Sequence, residues 1–209
     1  MTIAADPIHP LAEESAPTTR CRIIATAEQS FREIGYQKTT VADIAKTLKM
    51  SPANVYRFFD SKKAINEAVV GRLTREVEVL ILAIAEAPGL SAADRLSEMI
   101  TALHRDCLER CEAFPRMHEM VEAAMRESWA VCRHHVDSIV AVFERIISEG
   151  VRRGEFAVAD TGLAAACVHA AIVRYCHPVL VSQCPEAPVP PLDAMIAFLL
   201  RGLTPARRP

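Results

Sequence analysis

Apolar positions recur every three or four residues through most of the chain, and short polar or proline-rich breaks divide them into helical segments. Ile24, Ala27, Phe31 and Ile34 form one such stripe, which predicts a first helix over about Thr19–Ile34, closed by Gly35 as a left-handed cap. Val41, Ile44, Ala45 and Leu48 form a second. Thr40 stands just before it and Asp43 lies three residues on, a hydroxyl cap with a carboxylate near the positive helix end. After a break at Lys49-Met50, Ser51 caps a third, short helix, and Pro52 takes its first position, where a missing N–H costs nothing. A long fourth helix is predicted over about Lys62–Ala87, stopped by Pro88-Gly89. At a rise of ~1.5 Å per residue it spans roughly 39 Å.

The remainder reads as helices too. They are expected over about Ala92–Cys111 behind a Ser91 cap, Pro115–Met125, Glu127–Arg153 ended by Gly154, and from behind Asp160 to about Ser182 with a break at His177-Pro178. A last helix is expected over about Leu192–Leu203. The loop 184–191 is too proline-rich to be helical, because each proline removes a donor and crowds the preceding turn. Residues 1–17 hold three prolines and no sustained period, and are expected to be a disordered arm. No strand-like alternation occurs. The fold class is all-α: a three-helix, homeodomain-like helix-turn-helix head (18–66) on a helical body (67–209).

Helix, tight turn, and a second helix with polar residues on its free face is the arrangement that enters the DNA major groove. Over residues 18–69 the chain resembles the DNA-binding domain of the tetracycline-repressor (TetR) family of bacterial regulators. The likeness rests on Ile24, Ala27, Phe31, Gly35, Tyr36, Thr39, Thr40, Val41, Ile44, Ala45, Ser51, Val55, Tyr56, Phe59, Ser61, Lys62 and Ala68. The remaining residues match that family in length and helical character only.

Charge sharpens this picture. The chain has 209 residues and a formal net charge of −2, which taken alone argues against a DNA binder. Residues 18–66, however, carry nine Lys/Arg and four acids, so the head is +5 and the rest −7. A basic module on an acidic body is the footprint of a phosphate-binding head. Asn54 and Arg57 are the expected base readers, since Asn pairs bidentately with adenine and Arg with guanine, and Ala53 is small enough to approach a thymine methyl. Tyr56, Lys62 and Thr40 are expected on phosphates. The partner is then double-stranded DNA carrying a palindromic operator.

In the body, the resemblance implies an inducer pocket for an unknown small molecule, with Phe114, Met117, Met120, Trp129 and Tyr175 as candidate lining. It also implies a homodimer through a four-helix seam built from the last two helices, with Leu163, Cys167, Ala170, Ala171, Ile196, Leu199 and Leu200 as candidates. His104, Cys107 and Cys111 share a helix face and are soft zinc ligands, but no fourth ligand is evident, so neither a metal nor a cofactor is expected. A metal- or thiol-redox-responsive regulator on the same fold is the alternative reading. A small thiol- or metal-dependent enzyme is disfavoured, for no Gly-rich phosphate loop, serine nucleophile elbow or His-Glu-x-x-His helix occurs. Seven cysteines, no uninterrupted apolar run near the ~18 residues of a membrane span, and no basic-then-apolar leader point to a reduced, cytoplasmic protein.

Overall fold

A computed structural model describes residues 17–183 and 189–204, without the side chains of Trp129 and Gln183. The expected arm and most of the proline-rich loop lie outside the described residues. Ten helices are present among them, and no strand: α1 Thr19–Glu33, α2 Val41–Thr47, α3 Pro52–Tyr56, α4 Lys62–Ala85, α5 Ala92–Ala113, α6 Met117–Glu127, α7 Trp129–Arg152, α8 Thr161–Cys176, α9 Pro178–Gln183 and α10 Leu192–Leu203.

Local chemistry sets most of the boundaries. Thr40 and Asp43 form a capping box, as do Ser91 and Asp94, while Ser51, Ser61 and Asp160 each accept one N–H of the helix they open. Gly35 ends α1 at φ +99°, a region closed to most side chains. A Cβ there would also come within 2.6 Å of Glu119 Oε2 and 2.7 Å of Arg116 Nη1, so the start of α6 sits directly on the end of α1. Pro178 divides the expected 160–182 helix, because His177 is extended and a new helix, α9, begins at the proline.

Two hydrophobic cores form. The head core joins Ile23, Phe31, Ile44 and Val55 to Val69 and Leu73 of α4, and is closed by Met117, Met120 and Ala123 of α6. The body core centres on Leu96, Met99, Phe143, Ile146, Ile147 and Ile172, from α5, α7 and α8. The cores therefore do not part at residue 66. Helix α4 passes from one to the other, and α6, a body helix by sequence, belongs to the head core. Buried Glu28 bonds Arg32 and Arg72 and so ties α1 to α4. In the body, Arg95 donates to Ala87 O (3.2 Å) and to Glu149 (2.7 Å), and Glu155 accepts the N–H of buried Ala92 at the start of α5 (2.7 Å).

Candidate DNA interface and ligand cavity

The turn between α2 and α3 places Lys49 in the left-handed region (φ +56°) and sends α3 across α2 with Val55 and, just beyond, Phe59 buried. That leaves Ala53, Tyr56 and Arg57 exposed together, and Asn54 half-buried with its amide 4.0 Å from Met50 Sδ. Around them Arg20, Arg22, Lys38, Lys46, Lys49 and Lys63 are also exposed. The head thus presents one small polar edge on α3 and exposed cations elsewhere on its surface.

Two expected phosphate contacts are placed differently. The Lys62 ammonium donates to the carbonyls of Tyr36 (2.9 Å), Gln37 (3.4 Å) and Thr39 (3.1 Å) and lies 4.4 Å above the Tyr36 ring. All three of its protons serve the loop between α1 and α2, so Lys62 is a loop brace rather than a free anchor. Thr40 donates its hydroxyl proton (2.6 Å) and its N–H (2.9 Å) to Asp43, which these bonds hold below the usual carboxylate range. A phosphate at Thr40 would have to compete with that carboxylate.

In the body a cavity of about 560 Å³ lies among α4, α5, α6, α7 and α8. Its wall is largely apolar: Val70, Leu73 and Val77 from α4, Leu103 from α5, Met117, Met120 and Val121 from α6, Ile139 from α7 and Val173 from α8. Of the expected lining residues, Met117 and Met120 lie on this wall. Phe114 does not, because its ring stacks under the Arg32 guanidinium at 3.5 Å against the head. Neither does Tyr175, which points the other way, its hydroxyl donating to Pro190 O (2.8 Å). The Trp129 side chain is outside the described residues.

The polar part of the wall went unread in the sequence. Asp106 holds Arg110 through both oxygens (2.9 and 2.8 Å), and Arg110 also reaches Glu76 (3.0 Å). His135, His169 and His177 line the opposite side. Burial lowers the affinity of all three for protons, His135 to about 4, with its imidazole neighbours adding to the effect. The spacing of Asp106 and Arg110, i and i+4, was a legible signal; the histidines come from two helices and were not. Cys107, Cys132 and Cys176 also border the cavity. Cys111 beside it is lowered to about 6 by hydrogen bonds from Cys107 and Ser182, while Cys107, burdened by the same bond and by burial, is raised. Among the described residues no group of three or more His, Cys, Asp or Glu is disposed to hold a metal.

Helix α6 is wired to the head. Arg116 bonds the Ile34 carbonyl at the end of α1, Asn66 donates to Met120 O (3.1 Å), Tyr36 donates to Glu127 (3.1 Å), and Ser128 bonds Glu67. Burial and Glu127 push the Tyr36 hydroxyl up to about 12, so it keeps its proton and remains a donor.

The last helices are more exposed than a monomer core would leave them. The segment 161–182 is long and apolar enough, by length and composition, to cross a membrane, and only 22% of its most apolar 18 residues is buried. It was not evident as a run because His169, Arg174 and His177 interrupt it. On α8, Leu163 (63% exposed), Cys167 and Ala170 face outward and Ala171 is half-buried. On α10 the expected face is turned inward: Ile196, Leu199 and Leu200 pack against the body core, and the outward apolar residue is Phe198, 64% exposed.

Two family models match the chain. One, bacterial regulatory proteins of the tetR family, covers residues 23–69; the other, the tetracyclin repressor-like C-terminal domain, covers residues 92–191. The HTH-type transcriptional regulator YuxN of Bacillus subtilis is 26% identical over 130 residues, 58% of this chain and 44% of that one. The biofilm operon icaADBC negative transcriptional regulator IcaR of Staphylococcus aureus is 47% identical over 49 residues, 23% of this chain and 26% of its own. The chain thus spans less than half the length of these curated relatives, both transcriptional regulators. The crystal structure of a tetR-family regulatory protein from Rhodococcus RHA1 superposes with a TM-score of 0.63 at 26% identity, covering 91% of this chain and all of that one. With the head matched over residues 23–69 and the body over 92–191, the chain belongs to the TetR family of transcriptional regulators.

Proposed function

We propose that this chain is a cytoplasmic, homodimeric DNA-binding repressor, released from a palindromic operator when a small molecule enters the α4–α8 cavity. The observation that carries the proposal is the double membership of α6. Met117 and Met120 face the cavity and also close the head core, and the same helix holds α1 and α4 through Arg116 and the Met120 carbonyl. A ligand that pushes on α6 acts on the head within one packed layer, and the two recognition helices of a dimer leave the ~34–36 Å spacing that adjacent major grooves require. The head comprises residues 18–66 by connectivity, with its core completed by α6. Ala53, Asn54 and Arg57 face the bases in this reading, with Tyr56 and the exposed head cations on phosphates. Leu163, Cys167, Ala170 and Phe198 form the dimer seam. Its test is a titration of operator DNA against salt: several Lys/Arg–phosphate contacts give a log–log slope of several negative units, and a flat response would remove the phosphate-driven reading.

A thiol-responsive variant of the same function draws on Cys107 and Cys111, one turn apart on α5, of which Cys107 is raised by the neighbouring thiol and by burial and Cys111 is lowered. Replacing both by Ser separates the two readings. Unchanged DNA binding and release would leave only the small-molecule one.

A further inference from the structure

The cavity wall carries its charges in cancelled or exposed form. Arg110 is held by Asp106 and Glu76, and the other two charges, Arg133 and Asp137, are exposed, opposite in sign and one turn apart on α7. Among the lining residues a carboxylate entering the interior would find no free buried cation and would lose its hydration uncompensated. What the interior does offer is imidazole. His135 is flanked by Glu78 from α4, His134 from its own helix, and His169 and His177 from around the end of α8. Its Nδ1 is buried 4.0 Å from Glu78 Oε1, and neither atom has a hydrogen-bond partner. At that distance the carboxylate does not outweigh burial and the neighbouring rings, so the ring is neutral at pH 7. A neutral imidazole carries one proton, and the Glu78 carboxylate, 4.0 Å from Nδ1 and beyond hydrogen-bond reach, favours by its charge the tautomer that places that proton on Nδ1. Nε2, on the other side of a ring that forms part of the cavity wall, is then left as an acceptor with no partner among the described residues.

Resting on the ligand-release reading above, we propose that the cavity takes an uncharged, mainly apolar molecule bearing a phenolic hydroxyl, which donates its hydrogen bond to His135 Nε2. The apolar body lies against Met117, Met120, Leu73 and Val77. The volume of about 560 Å³ suits one aromatic ring with a short chain. A phenol fits the acceptor better than an aliphatic alcohol because its more acidic proton makes the stronger donor.

The test is isothermal titration of the full chain with para-hexylphenol, its methyl ether para-hexylanisole, and para-hexylbenzoate. The phenol is expected to bind about tenfold more tightly than the ether, the factor carried by one net hydrogen bond in a dry site, and the benzoate most weakly. His135→Phe, of similar volume, should erase the phenol's advantage and leave ether binding within about twofold. Equal binding of phenol and ether to the unaltered chain, benzoate binding first, or no binding by any of the three overturns the proposal, and none of these readouts depends on a variant folding. DNA release is scored alongside. A His135-dependent phenol preference without release sinks the ligand-release reading and leaves this site standing. Release by the benzoate alone does the reverse.

Discussion

Phe198→Ala should take the dimer apart while leaving the protomer folded. The ring is 64% exposed in the isolated chain. A phenylalanine buries about 150–250 Å² when fully covered, so a partner covering that fraction removes roughly 100–160 Å² from water. At ~25 cal/mol per Å² this is about 2.5–4 kcal/mol per copy. A two-fold seam counts each residue twice, giving about 5–8 kcal/mol. Allowing for the methyl that alanine keeps, the dissociation constant should rise at least about a thousandfold. Sedimentation equilibrium from nanomolar to micromolar protein measures it. Val79→Ala is the control, since Val79 is 68% exposed on α4, away from α8 and α10, and should change nothing. Leu199 is a poorer probe, because it is half-buried against the body core and its loss would weaken the protomer as well. A dissociation constant within about threefold of the parent would refute the assignment of the seam.

Three further outcomes follow from the contacts. Glu28→Gln leaves Arg32 and Arg72 facing a buried neutral amide, and urea unfolding should show a loss of about 2–4 kcal/mol, below the ~3–5 kcal/mol of a fully buried pair because Arg72 is 42% exposed. Tyr36→Phe removes the bond to Glu127 and should blunt ligand-driven release, measured by anisotropy, while DNA affinity without ligand stays within about threefold. His135 has its pKa lowered from 6.5 to about 4 in the folded chain, so between those values the unfolded state binds more protons. Stability should therefore be fully present above about pH 6.5 and fall as pH drops toward 4, by up to about 3 kcal/mol, with His135→Gln flattening that part of a urea-midpoint profile.

Features set by neighbours in sequence were legible. The caps at Thr40, Ser51 and Ser91 each depend on residues at most three apart, and α1 to α8 and α10 begin within two residues of their expected starts. Side-chain roles that depend on distant partners were not. Lys62 looks like a phosphate anchor from its place at a helix start, yet its partners lie 23 to 26 residues back. Arg116 reaches a carbonyl 82 residues away and thereby ties α6 to the head, which no local pattern announces. Helix α10 is apolar nearly all round, so periodicity could not tell which face turns outward. Its rotation sets Phe198 outside and Leu199 within. The cavity's imidazoles meet only because the turn at Pro178 brings His177 near His135 and His169.

The proposed function stands on sequence-specific DNA binding by the exposed edge of α3. Selection of bound duplexes from a randomised pool, run with the parent and with Arg57→Ala, tests it most directly. Enrichment of a two-fold symmetric site by the parent is expected, and for the variant the loss of one base preference at symmetric positions, a cost of about 1–3 kcal/mol per half-site. Failure of the parent to enrich any site would contradict the claim, and an unchanged motif with the variant would remove Arg57 from the readers.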